Sequence, residues 1–357
     1  MKRTKIYFIG KKQGIGFRRY RLSHLENRRK LESEGLRDAY QKIKQVRSIN
    51  NADVIWVRVR PEHTTDHQRQ VIENRLKNKR PKIPIINDIC IFDNYDCKDI
   101  SFDLWKKNDI KCPDHLTIVP ESVQKYFNET IQDISFFIRK NKKIFLRTNN
   151  ETASNGMFIL DTSSTEKEIE ETLSILINRC KSFFLTRRAT RIIAVKFISP
   201  VQENNYQDLY RVHILFGKIL SFYAVTSKRD IFHNVDMDHN DLDRFIQLNE
   251  HLCNEMPNLK DTVIKSAESL GCNLGAVEFF LLDGQPLFIE LNPMWGGHAS
   301  MHGFGDKRMQ TYLISNRNSL EKRIPNIYQF MDRKDYYKNL YEQIHLFVNK
   351  PTGTSIG

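Results

Sequence analysis

The stretch that decides the fold is GCNLGAVEFFLLDGQPLFIELNPMWGG, residues 271–297. Two apolar runs, residues 274–282 and 286–291, flank Asp283-Gly284-Gln285. Apolar runs on either side of a short Asp-Gly segment are typical of two strands joined by a tight turn, and Gly284 tolerates the positive φ that such a turn needs. The stretch therefore predicts a β-hairpin.

Three polar residues interrupt these apolar strands: Glu278, Glu290 and Asn292. Glu290 and Asn292 are two residues apart and so share one face of a strand. Glu278 precedes Glu290 by 12 positions, and a turn at residues 283–285 places it at the same level on the partner strand. Two carboxylates and a carboxamide on one face predict an oxygen-ligand site suited to Mg²⁺. The alternative is three solvent-facing polar residues on an edge hairpin.

Length and composition bound the class of protein. A chain of 357 residues, 40% apolar and 28% charged, is typical of a globular protein with two or three domains. No run approaches 18 apolar residues, so we expect neither a membrane span nor a signal peptide. Six cysteines are scattered without Cys-x-x-Cys pairing, which favours reduced thiols and a cytoplasmic location.

The net charge of +13 lies mostly in residues 1–50, where 15 Lys and Arg stand against 4 Asp and Glu. A Gly-rich loop that ends at Gly16 precedes a predicted basic helix, residues 17–34. Arg18 and Arg19 at the start of that helix are candidates to bind an acidic substrate group. A solvated basic helix face, a plain strand–helix turn and a nucleic-acid surface are the alternatives, with nucleic acid the less favoured partner.

Apolar segments at residues 6–9, 54–59 and 83–86 alternate with helical segments, including one at residues 65–76. Strands that alternate with helices predict a small parallel α/β layer at the N-terminus.

The hairpin resembles the C-terminal signature of the ATP-grasp superfamily: an acidic residue on one strand, Glu-x-Asn on the next, then a Gly-rich loop. The resemblance extends over residues 85–300. It implies that Glu278, Glu290 and Asn292 hold two Mg²⁺ ions, or Mn²⁺, against the phosphates of ATP. It also implies an α/β fold that is α+β in its ATP-grasp part: the N-terminal parallel layer, then two ATP-grasp subdomains that clasp the nucleotide.

Two basic residues match positions that contact phosphates in this superfamily. Lys98 lies 15 residues before Pro113, a typical spacing there. Arg147 ends a predicted strand at the position of a second lysine, and a planar guanidinium must meet phosphate in a different geometry. The following loop, residues 148–156, would close over the nucleotide, although it has one glycine where the family usually has two or three.

Further positions follow from the same resemblance. The main chain of Lys196, Phe197 and Ile198 corresponds to the hinge strand that pairs with adenine, with Lys196 where a glutamate is usual. Glu203 or Asp208 would contact the ribose.

Beyond the hinge, Asn234 would contact the nucleotide, and Arg211 and Arg229 would act in catalysis. Gly296 and Gly297 would line the acceptor pocket, and His298 is a candidate base, although a binding or spacer role is the alternative.

The resemblance implies a carboxylate–amine ligase that forms an amide through an acyl-phosphate and releases ADP and phosphate, as ribosomal-protein glutamate ligases and amino-acid ligases do. An ATP-dependent phosphotransferase and a non-catalytic nucleotide- or nucleic-acid-binding protein are the alternatives. The substrates would be a small-molecule or peptide carboxylate and an amine. The oligomeric state stays open, a homo-oligomer included. We predict domains at residues 1–112, 113–199 and 200–325, with a C-terminal helical extension at 326–357.

Overall fold

The structure is a computed structural model of the chain. It describes residues 2–11, 17–18, 41–58, 64–80, 82–151, 155–183, 189–198, 206–229, 237–293, 306–325, 327 and 333–349. Within these ranges helices flank three β-sheets, one mostly parallel and two antiparallel. The predicted mixed class, α/β with an α+β part, is confirmed.

The first sheet is built around β1 (Thr4–Lys11). This strand pairs in parallel with β3 (Ile43–Gln45) and with β4 (Val54–Arg58), and β4 pairs in parallel with β5 (Ile85–Ile86). Every residue of β4 is buried, as expected for a parallel strand covered on both faces. The predicted N-terminal parallel layer is confirmed.

A short strand stands where the sequence predicts the start of a basic helix. β2 (Phe17–Arg18) runs antiparallel to the end of β1, with Gly10 opposite Arg18 and Lys11 opposite Phe17. An edge strand offers unpaired main-chain groups that a returning segment can bind. The prediction of a helix from Phe17 is therefore wrong at its first two residues, and residues 19–40 lie outside the described ranges.

Helix α1 (Asp66–Leu76) lies between β4 and β5, and α2 (Asp93–Asp96) and α3 (Lys98–Lys107) follow β5. The helix expected at residues 65–76 is confirmed as α1. α3 is fixed against the rest of the protein by the fully buried Trp105, whose Nε1 donates to the Ser266 carbonyl oxygen at 2.8 Å. Its first residue, Lys98, is thereby held at a defined place.

The second sheet is antiparallel, in the order β6-β9-β7-β8. Its strands are β6 (His115–Ile118), β7 (Lys143–Thr148), β8 (Met157–Asp161) and β9 (Ile192–Lys196). Two long helices, α5 (Phe127–Asn141) and α6 (Glu166–Ser182), and the short α4 (Pro120–Val123) accompany it. Alternate residues of β7 are buried, because one face of the strand packs in a core shared with α5 and α6.

The third sheet is antiparallel, in the order β11-β10-β12-β13. Its strands are β10 (Gln207–Leu215), β11 (Lys218–Ser227), β12 (Leu274–Leu282) and β13 (Gln285–Asn292). The 27-residue helix α7 (Leu242–Glu268) packs on one face, where its apolar residues join those of the strands in one core. The other face includes the predicted metal residues.

The two hairpins of the third sheet have the same construction. Asp283 and Gly284 turn between β12 and β13 with φ of 51° and 72°, and Phe216 and Gly217 turn between β10 and β11 with φ of 48° and 67°. Two-residue turns with positive φ at both positions match the twist of antiparallel strands. In each hairpin the register then shifts by one residue, at His213/Ile214 and at Glu278/Phe279. The turn between β12 and β13 therefore has two residues, and not the three predicted at 283–285. The unpaired residue of a β-bulge makes up the difference.

The last helices are α8 (Lys307–Ser315), α9 (Arg317–Arg323) and α10 (Arg333–Val348). α10 lies within the predicted C-terminal extension, yet its Leu340, Tyr341 and Ile344 are buried in one core with residues of the first and third sheets. Thr4 Oγ1 lies 2.8 Å from His345 Nδ1, which joins the two ends of the described chain. α10 is therefore part of the packed core, and the domain boundaries remain a prediction.

Two further observations concern the whole described chain. No helix in the ranges given above is long and apolar enough to cross a membrane. All six cysteines are free thiols, as their spacing predicts.

Candidate functional site

Three oxygen-bearing side chains meet on the face of the third sheet opposite α7. Glu278 and Glu290 stand directly opposite each other on β12 and β13, and Asn292 stands opposite Ala276, two residues further along on the same face. Asn292 Nδ2 donates to Glu278 Oε1 at 3.1 Å. The side chains of Glu278 and Glu290 are 12% and 26% exposed. The structure thus brings together all three residues of the predicted metal set.

The bulge of β13 is what allows this arrangement. Phe288 lies opposite Phe279 and Glu290 opposite Glu278, so Ile289 has no partner across the strands. In a regular strand Phe288 and Glu290 would share a face, since side chains alternate with a period of two. The extra residue puts Phe288 into the core beneath α7 and Glu290 on the opposite face of the sheet.

Each carboxylate is bound to a buried cation. Lys98 Nζ lies 2.6 Å from Glu290 Oε1, and Arg211 Nη1 lies 2.7 Å from Glu278 Oε1. Lys98 comes from the start of α3, whereas Arg211 is the neighbour of Glu278 on β10. Like charges directly across a sheet repel each other. The two cations therefore offset the repulsion within the glutamate pair.

The pKa values of the two carboxyl groups are shifted in opposite directions. Burial raises the pKa of Glu278, and Glu290 raises it further, although Arg211 and Lys98 oppose this. Burial acts in the same direction on Glu290, but Lys98, Arg147 and Arg211 together lower its pKa below the usual value. Glu290 is accordingly the more strongly ionised member of the pair.

A continuous rung of polar residues crosses all four strands of the third sheet. Tyr223 is paired with Arg211, Arg211 with Glu278, and Glu278 with Glu290. Burial and Glu278 raise the pKa of Tyr223 to about 12, although Arg211 lowers it. Burial lowers the pKa of Arg211, but Tyr223 and the two glutamates outweigh burial and raise it. Tyr223 was missed from the sequence, where only the register of both hairpins would have revealed it.

Arg147 lies at the edge of this group, on β7. Its guanidinium donates to the carbonyl oxygens of Thr148, at 3.2 Å, and Glu151, at 2.8 Å. Burial lowers its pKa, and the charges of Glu290 and Glu151 oppose this. Arg147 therefore shapes the loop that follows its own strand and also acts electrostatically on Glu290. The predicted contact with phosphate remains a prediction.

The loop after β7 is tied to α3 by a buried polar network that the sequence did not reveal. The Lys98 amide donates to the Asn149 carbonyl oxygen at 3.0 Å. Asn149 Nδ2 donates to Asp99 Oδ1 at 3.3 Å, and Arg191 forms an ion pair with the same Asp99. These contacts connect the second sheet to the helix that begins at Lys98. The consecutive asparagines at 149 and 150 were the available signal.

The end of the same loop has a position that requires glycine. Gly156 has a φ of +57°, and a Cβ there would lie 2.5 Å from Glu151 Oε2 and 2.9 Å from Arg179 Nε. Glu151, 1% exposed, forms an ion pair with Arg179 of α6 and accepts a 2.9 Å hydrogen bond from Thr148. The single glycine of this loop is therefore explained by close packing at its base.

The predicted adenine-binding strand is β9 and the residues after it. The Lys196 amide donates to the Asp114 carbonyl oxygen at 2.9 Å, and the Phe197 amide donates to that of Lys143 at 3.0 Å. Both amides are therefore already used in hydrogen bonds of the second sheet, and binding a base through them would break those hydrogen bonds. The Ile198 amide donates to none of the residues that the structure describes, so it remains the candidate main-chain donor for a base.

Two other predicted residues lie apart from the glutamate pair. Asp208, 1% exposed, forms an ion pair with Arg244 and accepts a 2.7 Å hydrogen bond from Thr226. Its oxygens are thus committed to protein partners, which weighs against a contact with ribose. The Arg229 side chain is exposed at the end of β11, and no hydrogen bond or ion pair joins it to either glutamate. The remaining predicted residues lie outside the described ranges: Arg19, Glu203, Asn234, Gly296, Gly297, His298 and the side chain of Arg18.

The donor set fits a hard divalent cation. Mg²⁺ is commonly held by one or two carboxylates, with water and substrate phosphates completing its coordination. Glu278, Glu290 and Asn292 offer two carboxylates and one carboxamide. Within the part of the chain that is described, no group of three or more His, Cys, Asp and Glu residues could hold a metal ion. With two carboxylates and one carboxamide from the protein, the other coordination positions of such an ion would fall to water and phosphate oxygens.

No family model matches the sequence, and no curated protein is significantly similar to it. The structure is similar to D-alanine–D-alanine ligase from Bacillus anthracis, with 12% identity over 96% of this chain and 98% of that one and a TM-score of 0.45. It is also similar to a RimK-domain ATP-grasp protein from Sphaerobacter thermophilus, with 11% identity over 96% and 98% of the two chains and a TM-score of 0.47. A third similar structure is ATP-grasp ligase PsnB in complex with a minimal precursor, with 12% identity over 88% of this chain and 99% of that one and a TM-score of 0.47. With every one of these TM-scores below 0.5, the likeness by itself decides neither the fold family nor the activity.

Proposed function

We propose that this protein is an ATP-dependent carboxylate–amine ligase of the ATP-grasp type. The observation that supports the proposal most directly is the Glu278–Glu290 pair, with Asn292 beside it and Lys98, Arg211 and Arg147 around it. An acidic centre enclosed by cations suits a metal-bound polyphosphate, because the carboxylates hold the metal and the cations neutralise the phosphates.

In this proposal Glu278, Glu290 and Asn292 hold Mg²⁺ or Mn²⁺, which would neutralise charge on the phosphates when bound. Lys98 and Arg147 contact the phosphates, and so does Arg229 after its side chain turns inward. The base stacks near Phe197, whose ring is 4.9 Å from that of Phe145 between centroids, and pairs with the Ile198 main chain.

The reaction has two steps that balance without a further reactant. A substrate carboxylate oxygen attacks the γ-phosphorus and ADP leaves, which forms an acyl-phosphate. The amine nitrogen then attacks the acyl carbon, phosphate leaves, and the amine loses a proton. Arg211 is suited to stabilise negative charge that develops on the reacting groups, since its guanidinium stays charged in its buried place. His298 is the candidate to accept the proton, and Gly296 and Gly297 to line the acceptor pocket.

An acidic group on one substrate is part of the proposal. Residues 1–50 contribute 11 of the 13 net positive charges, among them Arg18 and Arg19. A site for one anion should weaken modestly with salt, whereas a nucleic-acid surface should weaken steeply and log-linearly. The salt dependence of KM, compared with that of binding to an oligonucleotide, separates these two partners.

The test of the reaction is a screen for ADP release with Mg²⁺-ATP against amino acids, peptides and sugar acids, repeated with hydroxylamine in place of the amine. We expect ADP, phosphate and a hydroxamate in equal amounts, since hydroxylamine captures an acyl-phosphate. Transfer of the γ-phosphate to a hydroxyl acceptor without hydroxamate would instead show a phosphotransferase. Failure of the protein to bind Mg²⁺-ATP in direct binding measurements would contradict the proposal as a whole.

A further inference from the structure

A protein cation already lies against the proposed metal ligand. Lys98 Nζ is 2.6 Å from Glu290 Oε1, and the Lys98 side chain is 10% exposed. This ion pair occupies an oxygen that the proposed function assigns to a divalent cation. A metal ion and an ammonium group cannot share that oxygen without strong repulsion, because two cations held a few ångströms apart in a partly buried site are weakly screened.

Both carboxylates of the centre are already paired with cations of the protein. Two carboxylates, Glu278 and Glu290, face two cations, Arg211 and Lys98. A divalent cation added alone would leave at least two positive charges in excess, since Arg147 also acts on Glu290. A nucleotide that arrives with the metal supplies the negative charge that restores the balance.

The two cations differ in their freedom to move. Arg211 lies within β10, between Tyr223 and Glu278, where neighbours on both sides enclose its planar guanidinium. Lys98 is the first residue of α3, and its ammonium group ends a flexible four-carbon chain. Arg211 is therefore the fixed countercharge, and Lys98 is the one that can exchange partners.

Lys98 also joins two sheets. Its amide donates to the Asn149 carbonyl oxygen at 3.0 Å, in the segment that follows β7 of the second sheet. Its ammonium group binds β13 of the third sheet. A change of partner at Glu290 thus takes place where the second sheet, α3 and the metal hairpin meet.

We propose that Lys98 blocks the metal site while no nucleotide is bound, and that it transfers from Glu290 to the nucleotide phosphates when the metal–nucleotide complex enters. This inference rests on the proposed function and adds a coupling to it: the metal ion binds weakly alone and tightly with the nucleotide.

The experiment measures Mn²⁺ binding by the full-length protein, by electron paramagnetic resonance and calorimetry, with and without a non-hydrolysable ATP analogue. In the wild type we expect the analogue to tighten Mn²⁺ binding by about tenfold or more, within the usual range of coupling between two ligands. In Lys98→Met we expect Mn²⁺ alone to bind about tenfold more tightly than in the wild type, and the effect of the analogue to shrink.

Lys140→Met is the matched control. It also removes a lysine from an ion pair, Lys140 Nζ to Asp114 Oδ2 at 3.2 Å, but on the outer side of α5. It should leave both Mn²⁺ affinities unchanged. Lys98→Gln, which can still donate a hydrogen bond to Glu290, provides a second variant if Lys98→Met fails to fold, and it should also bind Mn²⁺ alone more tightly.

The outcomes separate this inference from the proposed function. If the wild type binds the Mn²⁺–analogue complex but removal of the Lys98 charge leaves the affinity for Mn²⁺ alone unchanged, the blocking role is wrong and the proposed function stands. If the wild type does not bind the complex, the proposed function fails. Tighter binding of Mn²⁺ alone to Lys98→Met would then still support competition at Glu290.

Discussion

Hairpin β10–β11 and hairpin β12–β13 lie side by side in the third sheet and have the same construction but opposite charge. Each turns through two residues with positive φ, and each has one residue in its second strand without a partner, Leu220 in the first and Ile289 in the second. The first hairpin contributes Arg211 to the site, and the second contributes two carboxylates and Asn292. Arg211 and Glu278 pair directly between β10 and β12, and the register shift in β13 brings Glu290 into the same row.

The equivalent positions around the two bulges show what the shift does. Before the bulge stand Ile219 and Phe288, which pack in the core beneath α7. After it stand Ser221 and Glu290, on the opposite face of the sheet. A bulge thus lets a strand change from an apolar core face to a polar face within three residues. The construction is shared, and the chemistry depends on the residue placed after the bulge.

The largest expected effect is on stability, and it concerns two neighbouring residues at the bulge in β13 that differ in burial. Phe288 is 0% exposed, and its ring centroid lies 5.7 Å from that of Trp105, whereas the neighbouring Ile289 is half-buried. Phe288→Ala should destabilise the protein by about 3–5 kcal/mol, the usual range for a buried aromatic residue, and Ile289→Ala by about 1 kcal/mol. Urea unfolding of both variants measures the difference. Equal losses would mean that the bulge lies elsewhere.

The next prediction compares the two residues that follow the bulges. Glu290→Gln should lower kcat/KM by about 100-fold or more, the scale of losing one preorganised charge contact. Its matched control is Ser221→Ala. Ser221 Oγ lies 2.6 Å from His213 Nδ1 in the buried part of the same face, and its loss should cost about 1 kcal/mol of stability.

Activity and unfolding of both variants are measured together. Ser221→Ala should leave kcat/KM nearly unchanged, because Ser221 touches neither glutamate. A Glu290→Gln protein with wild-type turnover would exclude the metal role of this carboxylate, and with it the proposed function.

A double-mutant cycle tests the contact between the hairpins. Arg211→Met leaves Glu278 without its 2.7 Å partner, and breaking a buried ion pair in this way typically costs about 3 kcal/mol. The double variant, with Glu278→Gln added, no longer has an unpaired buried carboxylate at position 278. It should recover about 1–2 kcal/mol of the lost stability. Thermal unfolding of the wild type, the two single variants and the double variant gives the coupling energy. Strict additivity would show that the pair contributes no net interaction.

The sequence predicted more of the hairpin chemistry than of the hairpin geometry. Glu278 and Glu290 were placed opposite each other by assuming a three-residue turn. The actual turn has two residues, and the bulge at Ile289 restores the same pairing. A period-of-two pattern cannot reveal a bulge, because the irregularity depends on which neighbour each strand finds and not on the residues alone.

Contacts between distant segments could not be predicted from the sequence, for a related reason. The Lys98–Glu290 ion pair spans 192 positions, and Asn149 meets Asp99 across 50. No local pattern specifies such pairs. The opposite error occurred at Phe17, where local signals favoured a helix and pairing with the edge of β1 produced a strand. A short apolar run bounded by polar residues, such as residues 144–146 of β7, was predicted as a strand because a packed sheet buries such a run.

The smallest expected effect is the difference in stability loss between alanine substitutions in the two hairpin turns. Gly217 and Gly284 have φ of +67° and +72°, so an L-residue at either position adds about 1 kcal/mol of backbone strain. A Cβ at Gly217 would lie 2.8 Å from Glu268 Oε1, whereas a Cβ at Gly284 would meet no atom within 4 Å. Gly284→Ala should therefore cost about 1 kcal/mol, and Gly217→Ala slightly more, because the Glu268 side chain must move aside. Both variants should keep wild-type kcat/KM, since neither turn touches the glutamate pair. Parallel urea titrations measure the two losses, and a larger loss for Gly284→Ala would mean that packing around the turns does not distinguish the two hairpins.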